Sequence, residues 1–411
     1  MICQRTRKDV HVSHDLLYLL LICALLIVPR ALQRFRVPSQ LTCFIFGIVV
    51  ILIWPYLHKN DAVHLLATFG ISSLFLYAGL EVDLRELRKA WRPLLLYVLV
   101  RVGTLAIVGW LAWRVLGLAW QPAALLALAV LTSSTGFIVD SLDRFDLTAE
   151  ERFWVTNKAI SGELLALVAM FVVLQASDPL QLAMSSGALL AMIVAIPVVY
   201  MAMGRWIVPH APGSEFSLLV MVGLFAAFAT DKLGVEYLLG AFIAGLIARL
   251  PQPRLPALAS EHNMHAVKLF SSFFVPFYFF ANGTKVPVGA LSVQALAIGL
   301  GMTLVLVPAR VGVIWAQRRW LARDSARGSL RIAVSLAPTL IFTLVLATIL
   351  HERFGISDAL MGGLLLYAAL NTLLPSLVLR TTFDIAPPPT GETTPQPPDP
   401  ALEGNRRPMD A

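Results

Sequence analysis

Charge is scarce in this chain. Asp, Glu, Lys and Arg make up 14% of its 411 residues against 58% hydrophobic ones, and the mean hydropathy is +0.76. Soluble domains carry about 25% charged residues, so a water-facing surface of ordinary extent is excluded. Cysteine is nearly absent: Cys3, Cys23 and Cys43 have neither metal-ligand nor disulfide spacing, and two of them lie in apolar runs as filler. There is no Gly-rich loop to cradle a phosphate, which argues against a nucleotide as partner or energy source. Histidines cluster once, in Glu261-His262-Asn263-Met264-His265, without zinc-protease spacing; a solvated edge fits them better than a pH sensor. No apolar run holds a His-plus-nucleophile pair or a Gly-x-Gly-Asp, so nothing points to an enzyme, a cofactor or a metal centre.

What the chain has instead is apolar runs near twenty residues, the length that crosses a bilayer core. About thirteen follow one another, from 14–33 to 357–379, and those over 120–142, 152–174 and 330–350 matter most below. Backbone groups in lipid must pair within their own segment, so the expectation is an all-α polytopic membrane protein. The division expected is an extracytoplasmic tail over 1–13, a membrane domain over 14–380 and a disordered, Pro-rich cytoplasmic tail over 381–411, with no soluble regulatory module behind it.

The basic balance, +7, would suit nucleic acid if it were clustered on one soluble face. It alternates between loops instead. Arg30/Arg34/Arg36, Arg85/Arg88/Lys89/Arg92 and Arg318/Arg319/Arg323/Arg327/Arg331 fall on one side, while the opposite loops hold single residues such as Lys59, Lys232 and Lys285. This asymmetry predicts a cytoplasmic C-terminus in a plasma (bacterial inner) membrane.

One carboxylate, Glu163, sits near the middle of the run at 152–174. A charge at that depth costs roughly 2.5–3.5 kcal/mol on insertion scales and marks an ion or proton site, or else a structural ion pair. Two runs are interrupted. Thr132-Ser133-Ser134-Thr135-Gly136 breaks one with hydroxyls and a glycine, and Ala337-Pro338-Thr339 breaks the other, where proline removes a backbone donor. The same offset, 204, carries Gly79 onto Gly283 and Thr135 onto Thr339. It shifts the order of spans by an odd number, the signature of an inverted repeat. Broken helices in corresponding places of two repeats point to a site at the membrane midplane; the plainer reading is that Ser and Thr allow close helix packing.

Further charges in the runs are weighed in the same way. Arg101 either neutralises Glu163, lines the pathway or snorkels to the inner face, whereas Arg310, nearer its inner end, is expected to snorkel. Lys158 is placed on the cytoplasmic approach, Asp140 at the inner boundary, and Glu81 and Asp83 in solvent.

Several segments are similar to the monovalent cation:proton antiporters, the sodium/proton exchanger type that includes the glutathione-regulated potassium-efflux proteins. They are Leu74–Leu84 (LFLYAGLEVDL), Leu131–Thr135 (LTSST), Leu239–Gly245 (LGAFIAG) and Phe277–Gly283. The resemblance spans about 14–380 and implies thirteen or so helices, two crossing broken helices and a homodimer. There are two departures. The family's usual pair of polar or acidic residues falls on Gly162-Glu163, and no charge stands beside the second break, over Ser335–Phe342.

The function expected is exchange of a monovalent cation, Na⁺ or K⁺, for a proton by alternating access. Glu163 would be the shared site, and Thr132, Ser133, Ser134, Thr135 and Thr339 would supply oxygens beside the breaks at Gly136 and Pro338. Arg101 is the candidate charge partner. The alternative is a gated ion channel or a non-transporting sensor on the same fold, suggested by the two departures.

Overall fold

The computed structural model describes residues 3–35, 37–53, 61–83, 88, 91–142, 145–176, 178–211, 213–234, 236–249, 260–321 and 324–379. The tail over 381–411, most of the basic loop over 85–92 and the side chain of Asp140 lie outside the described residues.

Fifteen α-helices account for nearly all of the described chain, and no β-strand is present among the described residues. They are α1 Cys3–Leu32, α2 Ser39–Ile53, α3 Asp61–Glu81, α4 Trp91–Leu116, α5 Trp120–Leu131, α6 Thr135–Leu142, α7 Ala149–Gln175 and α8 Pro179–Trp206. Then follow α9 Glu215–Lys232, α10 Tyr237–Ala248, α11 Glu261–Thr284, α12 Val293–Leu321, α13 Ala326–Ser335, α14 Leu340–Phe354 and α15 Asp358–Val378. Among the described residues eight spans are long and apolar enough to cross a membrane, nine if α13 and α14, bent by 44°, count as one. The rest of the expected thirteen are shorter or more polar, as in α2 and α10. The first helix starts at Cys3, ahead of the expected start at 14.

The helix ends are written locally. Thr148 accepts from Glu151 N–H while the Glu151 carboxylate accepts from Thr148 N–H, a reciprocal cap that starts α7. Ser260, Ser325 and Ser357 cap α11, α13 and α15 with their hydroxyls. Gly355, at φ 63°, ends α14 in the left-handed conformation that side chains disfavour.

The helices sort into two bundles. In one, α2, α3, α10 and α11 approach so closely that glycines meet backbone. Gly79 faces the Phe242 carbonyl and Gly245 faces that of Leu76, while Gly47 and Gly283 face each other across α2 and α11; a Cβ at any of the four would overlap a carbonyl oxygen. Three of these glycines belong to the segments that carry the family resemblance, so those segments are packing seams. The second bundle comprises α4–α7 and α12–α15 and contains both breaks. The two bundles meet along α3, where Leu74 rests on Gly136 of α6 and Phe75 stands edge-on to Phe342 of α14 at 6.1 Å.

Adding 204 to the starts of α3–α7 lands within a few residues of the starts of α11–α15, and it carries the break at 132–134 onto the break at 336–339.

Candidate functional site: the crossing of two broken helices

A helix end leaves four carbonyls or four N–H groups without intrahelical partners, and two breaks in the middle of a bundle bury four such ends. The site is built from how each end is satisfied. At the C-terminal end of α5 every carbonyl of the last turn has a partner. Leu128 O accepts from Thr132 N–H at 3.0 Å, Ala129 O from the Thr343 hydroxyl at 2.8 Å, Val130 O from the Tyr367 hydroxyl at 2.6 Å, and Leu131 O from the Arg101 guanidinium. At the C-terminal end of α13, Arg310 donates to Ala337 O at 2.9 Å and to Leu336 O at 3.3 Å. Each arginine thus lies where a helix dipole is negative.

The N-terminal ends receive acceptors. Thr135 N–H, opening α6, donates to Glu163 Oε2 at 3.2 Å, and Thr339 N–H, before α14, donates to Asn371 Oδ1 at 3.2 Å. The breaks also grip each other: Ser134 N–H donates to Pro338 O at 2.9 Å, Ile341 N–H to the Ser134 hydroxyl at 3.0 Å, and the Ser133 hydroxyl to Leu336 O at 2.6 Å. The two broken spans therefore cross in contact at residues 132–135 and 336–341.

The arrangement repeats by role. Helices α4 and α12, related by the offset, each send an arginine to the C-terminal end of the half-helix that follows. Helices α7 and α15, related likewise, each send an acceptor to an N-terminal end. One difference stands out: the acceptor on α7 is a carboxylate and the one on α15 is an amide.

The candidate residues fall as follows. Glu163 is 1% exposed and no cation lies within ion-pair distance of it among the described residues; Arg101 is buried at the neighbouring carbonyl end instead. Ser133, Ser134 and Thr339 have hydroxyls engaged in the crossing, that of Thr339 with Asn371 Nδ2 and with Thr343, each at 2.8 Å. The hydroxyl of Thr132 is buried without a hydrogen-bond partner, and that of Thr135 is buried against the Glu163 carboxylate. Gly136 marks the contact with Leu74, and Pro338 supplies the carbonyl that Ser134 holds. Lys158 is buried with its ammonium 4.8 Å from the centre of the Tyr97 ring and 3.3 Å from Gln317 Oε1.

Arg310 departs from expectation. Its guanidinium does not reach toward an interface; it is 6% exposed and also donates to Tyr367 at 3.0 Å. The carbonyls left open where α13 ends form a more favourable partner than a distant headgroup. Asn371 and Tyr367 were not picked out from sequence. The signal available was an amide and a phenol inside a 21-residue apolar helix, where polar side chains need partners. Glu81, expected in solvent, accepts from the Tyr77 hydroxyl. His262 and His265 are exposed at the start of α11.

A cavity of about 90 Å³ with a mixed lining borders the crossing, Leu74, Val275 and Pro276 forming apolar parts of its wall. Ser39, Gln40, Tyr77, Lys268, Ser271 and Ser272 line it, and it ends against Gly136, the neighbour of Thr135. Where the sequence has Gly162, the Tyr97 hydroxyl stands so near that a methyl group there would lie 3.4 Å from it.

Comparison with known proteins matches this architecture. The family model described as sodium/hydrogen exchanger, transmembrane, covers residues 19–384. A Na(+)/H(+) antiporter of Enterococcus hirae is 22% identical over 85% of this chain and 92% of its own length. A probable Na(+)/H(+) antiporter 3 of Methanocaldococcus jannaschii is 24% identical over 66% and 72%. The glutathione-regulated potassium-efflux system protein KefC of Salmonella typhimurium is 28% identical over 77% of this chain, which spans 54% of that longer protein. The solved structure of the sodium proton antiporter MjNhaP1 from Methanocaldococcus jannaschii superposes with a TM-score of 0.65, covering 90% of this chain and 96% of its own at 16% identity. With the breaks, their crossing and the family match in agreement, this chain is a multi-pass membrane protein of the sodium/hydrogen exchanger family.

Proposed function

We propose that the protein exchanges a monovalent cation for a proton by alternating access, with Glu163 holding one or the other. The observation that carries this reading is a carboxylate buried at the N-terminal end of a half-helix, with no cation paired to it among the described residues. An unpaired buried carboxylate is costly to keep ionised, so it must take a proton or a cation. The Thr132 and Thr135 hydroxyls supply oxygens for a hard cation, and the dipole of α6 steadies the charged form between occupants. Ser133, Ser134 and Thr339 hold the two breaks together so that the site moves as one piece.

The cavity bordered by Gly136 is read as the access path. Ser39 and Gln40 in its lining directly follow the loop of Arg30, Arg34 and Arg36, which the charge rule assigns to the cytoplasmic side. The thin seam along α3 and α6 is where the crossing bundle would slide against the glycine-packed bundle, and the glycine-packed bundle is the candidate dimer scaffold. The relatives named above are Na⁺/H⁺ and K⁺-efflux proteins, which supports a monovalent cation without choosing between the two. Arg310 reaches the second break from α12, so that break does not lack a charge. The observation that favoured a channel or sensor is correspondingly weaker.

The test is reconstitution in liposomes with an internal pH dye and external Na⁺, K⁺ and Li⁺ added in turn. Proton movement coupled to one of them supports exchange. Cation flux with no proton counterflow sinks it.

A further inference from the structure

The exchange reading makes no use of a cavity bordered by two buried arginines. It lies between α4 and α12 and has a volume of about 240 Å³. Much of its wall is apolar, and Ile107 and Val313, 63% and 38% exposed, place its mouth on the outer apolar face of the bundle. Its charged lining is cationic, beside the neutral polar side chains of Tyr97, Thr104 and Gln317. Arg101 and Arg310 both border it, each 6% exposed, and neither meets a carboxylate within ion-pair distance among the described residues. Each gives hydrogen bonds to carbonyls, but Arg310 Nε is buried with no partner, and so is the hydroxyl of Tyr97, which lines the same cavity and is 3% exposed. Lys158, packed on Tyr97 and Gln317, adds a third cation behind the wall. Like charges in a low-dielectric space with donors to spare attract an anion. Apolar walls open sideways attract a hydrocarbon chain.

We propose that this cavity binds a long-chain carboxylic acid from the bilayer, its carboxylate between Arg101 and Arg310 and its chain along the gap between α4 and α12. Depth selects the headgroup. Arg101 lies ten residues beyond the first residue of α4, about 15 Å at 1.5 Å per residue, or roughly half of a 30 Å hydrocarbon core. A phospholipid head, ionised at any physiological pH, stays at the interface. A carboxylic acid can travel to that depth in its neutral form.

The test is binding of radiolabelled oleate to the purified full-length protein in a non-ionic detergent, with the labelled peptides mapped by a diazirine-bearing palmitate. The expected result is saturable binding near one per chain, with crosslinks in α4 and α12. Palmitate should displace it, and oleyl alcohol or dioleoylphosphatidylglycerol should not. Ile107→Trp and Val313→Trp, both at the exposed mouth, should weaken binding at least tenfold without loss of monodispersity, and Arg101→Gln should do so while keeping a donor for Leu131 O. Several results would overturn the proposal: no saturable binding, equal displacement by the alcohol, stronger displacement by the phospholipid, or binding unmoved by the two tryptophans. The readout does not use transport, so a chain that fails to exchange ions still decides this question.

Discussion

Replacing Glu163 by glutamine separates chemistry from structure. The carboxylate makes one assigned hydrogen bond, from Thr135 N–H at 3.2 Å. Glutamine can accept the same bond through Oε1. The loss of charge at a helix N-terminus costs about 1 kcal/mol, and the relief of an unpaired buried carboxylate offsets it. Glu163→Gln should therefore melt within a few degrees of the parent. Alanine removes the acceptor and strands a buried N–H, a cost of about 1–3 kcal/mol, so Glu163→Ala should be visibly less stable. Exchange should vanish in both. Aspartate is shorter by one carbon–carbon bond, about 1.5 Å, which lengthens the contact beyond direct hydrogen bonding. It should retain partial exchange with a displaced pH profile. The assays are thermal unfolding by intrinsic tryptophan fluorescence and dye-detected exchange in proteoliposomes. Wild-type exchange by Glu163→Gln would refute the reasoning and leave the carboxylate as a helix cap only.

Because one N-terminal end carries a carboxylate and the other an amide, exchange should be electroneutral; a voltage-sensitive dye should report no potential built by the cation gradient, and a potential of either sign would contradict the assignment. Asn371→Leu leaves Thr339 N–H without its partner and takes one of two from the Thr339 hydroxyl, so it should cost about 1–3 kcal/mol in stability and slow exchange, whereas Asn371→Asp should retain the fold. Gly79→Val or Gly245→Val places a side chain into a facing carbonyl and should abolish monodisperse protein on size exclusion, while Gly136→Ala, facing only the movable end of Leu74, should be purified normally. A cysteine at Ser325, exposed before α13, should resist a membrane-impermeant maleimide added to intact cells, as expected of a cytoplasmic loop.

The long apolar runs were legible because crossing lipid imposes length and composition on every residue of a span. The breaks were legible because hydroxyls, glycine and proline are rare at such depth, and Glu163 because a lone carboxylate there is conspicuous. What did not show was direction. Arg310 sits near a helix end in sequence, and only the packed structure reveals that its side chain turns inward to Ala337 O. Opposite charges in apolar runs suggest pairing of Arg101 with Glu163, yet a helix C-terminus satisfies a guanidinium equally well. Asn371 could have been reached by carrying the helix of Glu163 along the 204-residue offset, which lands on Tyr367, one turn away. The glycine motifs were legible as family marks but not as seams, since a seam is defined by the backbone on its other side.

The arginines at the half-helix ends bear on how such a protein would respond to voltage. In the proposed cycle the crossing bundle swings as a body and carries Arg101 and Arg310 with it. Protonated Glu163 is neutral, and so is the carboxylate paired with a monovalent cation. The bundle thus bears the same charge on its outward and return strokes, and a full turn transfers none. A single stroke differs. Each guanidinium moved through part of the membrane field does part of the work of about 2.3 kcal/mol per charge per 100 mV. The potential would then set which side the site faces at rest and how fast it turns over, while the end point of exchange would answer to the two ion gradients alone.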